Sequence, residues 1–219
     1  MPSTTPLERR SFLSRFAVGA AVFGSAFSAG ALLPSTARAE RAPRTGGHPE
    51  DAWLDDLKGM HKIIYDGVTT DNGFNGWFYA RNFLIANALG YKMKDSDCSV
   101  VVSVRHLSTV YGFNDAMWAK YPLGEIVKLT DPATSKAPVK NLHAGDAKEL
   151  ADRGIQLAVC GLATSFFAGE LAKKGGGTAA DIEKEMKANL VVPQARIVPA
   201  GVVVVSRAQE HGFTYTYVG

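Results

Sequence analysis

Two cysteines occur in the 219 residues, Cys98 and Cys160, and the second stands at a junction that suits sulfur chemistry. Cys160 closes the apolar run IQLAVC (155–160) and is followed by Gly161 and a segment, LATSFFAGELAKK, with the character of a helix. Three readings are open for it: a small buried filler, half of a disulfide, or a thiol held out for reaction. Amides at a helix N-terminus carry partial positive charge and favour a thiolate, the nucleophilic form of the side chain. Gly161 would let another group approach the sulfur closely. Arg105 and His106 end a second apolar run, SVVVSVRH (99–106), where they would place a cation and a base beside the thiolate or an anionic sulfur species. The plainer reading is a strand-end pair that meets solvent or a carboxylate. Asn114, Asn141 and His143 fall in loops expected at the same end, and each reads as structural.

The elements that must position these groups follow from periodicity. PEDAWLDDLKG (49–59) reads as a short helix opened by proline and acids and closed by glycine. HKIIYDGV (61–68) reads as the first strand. GWFYARNFLIANALG (76–90) reads as an amphipathic helix with Trp77, Ala80, Leu84 and Ala88 on one face. The valines of 99–106 form a continuous run, as in a strand buried on both faces. Residues 115–129 read as helix broken near Pro122, and 130–141 as loop. Asp146 with Glu149 suggests an N-cap and capping box for a helix ending at Gly154. After the strand 155–160 comes a helix from about Thr164 to Lys174, then a helix capped by Thr178 with Asp181 and running to about Leu190. ARIV (195–198) and FTYTYV (213–218) read as strands. GVVVVSRAQEHG is ambiguous, because four valines favour a strand while RAQEH and the closing glycine favour a helix. Helix over 201–211 preserves the alternation of strand and helix. That alternation predicts an α/β three-layer sandwich with a mainly parallel sheet.

In such a sheet the functional crevice lies outside the carboxyl ends of the strands. Cys160 falls at such an end, whereas Cys98 precedes its strand at the amino end. The two would then be separated by roughly a strand length, about 17–20 Å, against the ~7 Å that a bridge allows between Cα atoms. No Cys98–Cys160 disulfide is expected. The five histidines and two cysteines show no HxxxH, HxxH or CxxC spacing, so no metal site is expected. The absence of GxGxxG, Walker and GxSxG patterns points away from nucleotide binding and serine hydrolysis, and no cofactor is expected.

RGIQLAVCGLA, followed after two helices by VPAGVVVVSRAQEHGFTYTYVG, resembles the DsrE/DsrF-like family of sulfur-relay proteins. The resemblance covers about 154–219, and over 60–130 the strand-helix-strand order agrees. It implies a DsrE-like α/β fold over 50–219, a homo-oligomer, and a cysteine at the end of a strand that accepts sulfur as a persulfide. By position that cysteine corresponds to Cys160. The resemblance thus implies a sulfur carrier or transferase with a sulfur-donor or acceptor protein as partner. A non-catalytic binding or assembly protein on the same fold is the alternative.

The N-terminus carries Arg9-Arg10 before Ser-Phe-Leu, a Gly/Ala-rich apolar run from Phe16 to Leu33, and Ala37-Arg38-Ala39 as a small-x-small cleavage pattern. Residues 1–39 therefore read as a twin-arginine signal peptide, 40–49 as a flexible leader, and the destination as the periplasm or the cell exterior by way of the twin-arginine translocase. Of 24 basic and 21 acidic residues, the signal holds four arginines and one glutamate, which leaves 20 of each from Glu40 onward. A neutral mature chain gives no reason to expect a nucleic-acid partner.

Overall fold

The computed structural model describes residues 47–70 and 75–219, all within one compact unit. The predicted signal and most of the leader lie outside the described residues. Five strands form the sheet: β1 (His61–Gly67), β2 (Cys98–Val104), β3 (Gln156–Cys160), β4 (Ala195–Val198) and β5 (Thr214–Tyr217). Their order is β4-β3-β2-β1-β5, and every neighbouring pair is parallel. The valine run forms the central strand and is apolar on both faces. Val100, Val102 and Val104 join one core cluster and Val101 the other, and all four are buried. Full burial of each such side chain contributes roughly 1.5–3 kcal/mol.

Helices cover both faces. On one lie α2 (Asn75–Tyr91), α5 (Ala144–Asp152), α6 (Gly161–Lys173) and α7 (Ala179–Ala188), which bury Trp77, Leu84, Leu150, Phe167 and Ile182 against β1 to β3. On the other lie α1 (Ala52–Asp55) and α8 (Gly201–Glu210), which bury Leu54, Val204 and Ala208 against Ile64, Val101 and Ala158. This is the α/β three-layer sandwich expected from the alternation of elements. The ambiguous 201–211 segment is helical to Glu210. Val204 and Ala208 stand one turn apart on its buried side, while Val202 and Val203 are exposed. A helix here also carries the chain back across the sheet so that β5 can lie parallel to β1. The expected break near Pro122 separates α3 (Asp115–Lys120) from α4 (Leu123–Ile126).

Several boundaries differ from the sequence reading. The first helix is a 3₁₀ turn, Pro49–Asp51, that runs into the four residues of α1. β2 stops at Val104, and a 3₁₀ helix over His106–Gly112 follows it directly. α5 opens at Ala144, so Asp146 lies inside the first turn and its carboxylate turns to His143 and Arg81 instead of capping. α7 ends at Ala188, though Thr178 does cap it by accepting from the Asp181 amide. α6 begins at Gly161, three residues before the expected start, which makes Cys160 its N-cap.

Candidate functional site

The site lies where the sheet changes the direction of its connections. From β3 the chain turns onto the face covered by α6, and from neighbouring β4 it turns onto the opposite face through α8. The carboxyl ends of β3 and β4 therefore part, and such a switch point is where open α/β sheets form their crevice. Cys160 and Val198 are the last residues paired across that gap. Gly161 belongs here for a steric reason: a Cβ would stand 2.8 Å from the Val198 carbonyl oxygen and 3.2 Å from that of Pro199. The close approach that the glycine permits is thus made by the β4–α8 turn and not by a group meeting the sulfur. Leu162 N donates to Pro199 O at 3.3 Å and stitches the start of α6 to the same turn.

Cys160 Sγ accepts from the Ala163 amide at 3.4 Å, in the geometry of an N-cap side chain. Thr164 and Ser165 do not cap. Their hydroxyls donate back to the carbonyls of Cys160 (2.8 Å) and Gly161 (3.1 Å). The residue is 6% exposed, and what it exposes lines a cavity of about 350 Å³ shared with Arg105, His106 and Gly201. The remaining wall is apolar and includes Leu107, Leu162, Phe166, Phe167 and Val202.

All four sequence-nominated residues, Cys160, Gly161, Arg105 and His106, meet at this end of the sheet, and three of them line the cavity itself. Arg105 is engaged elsewhere. Its Nε and Nη2 donate to the two oxygens of Asp66 at 2.7 and 2.9 Å, and the Tyr215 hydroxyl donates to the same carboxylate at 3.0 Å. Asp66 is buried at the end of β1, with 2% of its side chain exposed against 24% for Arg105. The Asp66 hydrogen bonds raise the pKa of the guanidinium still further, and burial followed by the Asp66 bond pushes the Tyr215 phenol up. The stem of Arg105 crosses the start of α8, where a Cβ at Gly201 would collide with Arg105 Cβ. His106 is exposed at the cavity mouth and holds φ at 55°, in the left-handed region that few non-glycine residues adopt.

The other nominated polar residues are structural. Asn114 caps α3 through the Met117 amide. Asn141 donates from a buried position to the carbonyls of Tyr111 and Phe113 and so anchors the chain that follows β2. His143 pairs with Asp146 at 2.9 Å. Cys98 and Cys160 are both free, at opposite ends of adjacent strands. Burial first, then Asp95 and Asp97, push the Cys98 thiol up. Among the described residues no cluster of His, Cys, Asp or Glu could hold a metal ion, and no helix is long and apolar enough to cross a membrane. Sequence reasoning missed Asp66, whose only trace is an acid at the end of the apolar HKIIYDG. It also missed the apolar rim, signalled by the adjacent Phe166 and Phe167.

Fold and site together define an α/β three-layer protein with a cysteine N-cap at its switch-point crevice. No protein-family model matches the chain. No curated protein matches it. A solved structure of a protein of unknown function from Methanobacterium thermoautotrophicum is similar to it, with 14% identity and a TM-score of 0.39 over 72% of this chain and 98% of that one.

Proposed function

We propose that this protein is an exported, DsrE-like sulfur carrier that holds sulfur as a persulfide on Cys160. The observation that carries the reading is the position of Sγ, fixed by the Ala163 amide at the floor of an open cavity in the switch-point crevice. In the forward step the Cys160 thiolate attacks the outer sulfur of a donor persulfide. The donor's S–S bond breaks, its inner sulfur leaves as a thiolate with the bonding pair, and Cys160 becomes Cys–S–SH. Attack by an acceptor thiolate on the outer sulfur reverses the sequence and regenerates Cys160. No external oxidant is needed, because sulfur passes at constant oxidation state. The Ala163 N–H aimed at Sγ holds the sulfur in one position for attack and for departure.

The twin-arginine signal supports a periplasmic or secreted location and export through the twin-arginine translocase. A donor or acceptor protein is the partner this chemistry requires. Exposed Phe78, Ile85 and Leu89, which line one stripe of α2, support a homo-oligomer. The test is intact mass spectrometry of the purified protein after incubation with benzyl persulfide and, separately, with polysulfide. A gain of one sulfur that dithiothreitol removes and that Cys160→Ser abolishes is the expected result. A gain that persists in Cys160→Ser refutes the assignment. The 6% exposure of Cys160 favours a second reading, a binding or assembly protein with its sulfur in the core, and no gain at all would establish it.

A further inference from the structure

We propose that the Cys160 cavity takes its sulfur from a small apolar organic persulfide, an alkyl or aryl R–S–SH, and discriminates against hydrated inorganic sulfur anions. This rests on the carrier reading and names its substrate class. The first ground is charge. An uncommitted cation is what most strongly offsets the desolvation of a hydrated anion. The one arginine on the cavity wall has both its Nε and its Nη2 on buried Asp66, which neutralises it locally. The second ground is the wall itself. Leu107, Leu162, Phe166 and Val202 surround the opening, and the last three are 68%, 61% and 60% exposed. Large apolar side chains left in water around one cavity mark a place that an apolar group covers. The third is size: about 350 Å³ lies at the small end of the range that accepts small molecules.

The polar features are few. Sγ, the Ala163 amide it accepts from and the opening turn of α8, which starts at Gly201 without a side-chain cap, stand on one side, and the Asp66-paired Arg105 and His106 at the mouth are the remaining polar side chains. A persulfide matches this division, since its terminal sulfur is a soft head that approaches Cys160 while its R group lies along Leu162, Phe166 and Val202. Transfer follows the step given above: a new S–S bond forms to Cys160, the donor's S–S bond breaks, and the apolar thiolate R–S⁻ leaves with the electron pair. Protonation of that thiolate by water yields R–SH.

The test uses two reagents with the same reactive group, benzyl methanethiosulfonate and sulfonatoethyl methanethiosulfonate. Each rate at Cys160 is read by peptide mass spectrometry on the folded protein and normalised to the rate in urea. The benzyl reagent is expected to be faster by about tenfold, the scale set by burying much of an aromatic ring. Phe166→Ser together with Val202→Ser, both on exposed positions, should remove most of that preference. Equal normalised rates, or a faster sulfonate, overturn the apolar assignment. If neither reagent reaches Cys160 without urea, the rim is closed, by a second copy or by its own packing, and both this inference and the carrier reading fall. A benzyl preference without persulfide formation from benzyl persulfide or polysulfide upholds the cavity's apolar selectivity and overturns the carrier reading, and with it the persulfide as donor.

Discussion

Asp66→Asn separates the structural from the electrostatic role of the Arg105 pair. The amide is nearly isosteric with the carboxylate, so the packing at the ends of β1 and β2 is retained while the negative charge is lost. Breaking a fully buried ion pair from one side costs about 3–5 kcal/mol. Here the guanidinium keeps 24% of its side chain in contact with water, so solvent offsets part of the loss. We expect a fall in unfolding free energy of about 2–3 kcal/mol, read as a lower urea midpoint at unchanged m-value.

The same change should alter the cavity. Arg105 lines it, and without Asp66 its charge has no partner at this end of the sheet. A unit charge several ångströms away at an effective dielectric of about 20 shifts an anion's energy by 1–2 kcal/mol, on the order of tenfold in rate. The sulfonatoethyl reagent should therefore gain about tenfold at Cys160 in Asp66→Asn, and the gain should shrink in high salt. The neutral benzyl reagent should change little. A loss below about 1 kcal/mol, the level of an exposed ion pair, with selectivity unchanged would show that Asp66 does not set the charge of this cavity.

Two further predictions concern other parts of the chain. Arg81 on α2 clamps α5 by donating to Glu149 and Asp146. The Arg81 hydrogen bond holds Glu149 below its usual range; at Asp146 burial acts upward, but the bonds from His143 and Arg81 outweigh it and the net shift is also downward. Carboxyls with depressed folded values contribute stability that is present above their unfolded values, near pH 4, and lost as pH falls through the lower folded ones. Arg81→Leu should flatten the acid limb of the urea-midpoint curve between about pH 5 and 2, and a limb parallel to wild type would contradict the clamp. At the other end of the chain, Arg9→Lys with Arg10→Lys should leave precursor in the cytoplasm on fractionation; unchanged export would remove the basis for a periplasmic location.

What the sequence made legible follows from which interactions are local. The valine run of β2, the Thr178 cap and the break at Pro122 are set by neighbours in the chain, and each was readable. The fate of 201–210 was readable only through the alternation of elements, since its valines alone argue for a strand. Asp66, Arg105 and Tyr215 were not readable as a unit. Their meeting depends on β1 lying between β2 and β5, an order that brings Asp66 opposite both Ser103 and Tyr217. The switch point at β3 and β4 has the same origin. Composition placed Cys160 at a strand end, but the sidedness of α6 and α8 makes that end a crevice.

The three-residue error at the start of α6 has the largest chemical consequence. Thr164 and Ser165 are the residue types that cap helices, so a start at that pair was the natural expectation. Both hydroxyls instead donate to carbonyls one turn back, Thr164 from a fully buried position. This leaves the capping position to Cys160, whose sulfur accepts from the amide three residues on as a serine hydroxyl would. A cysteine some residues ahead of a helix would lie on a loop, with its sulfur free to turn and only weakly sensitive to the helix field, which fades within a turn. As the N-cap it has a defined backbone conformation, φ −67° and ψ 113°, and a fixed donor. The thiol is thereby held at the end of the rigid sheet, and its reactivity depends on what the cavity admits more than on its own motion.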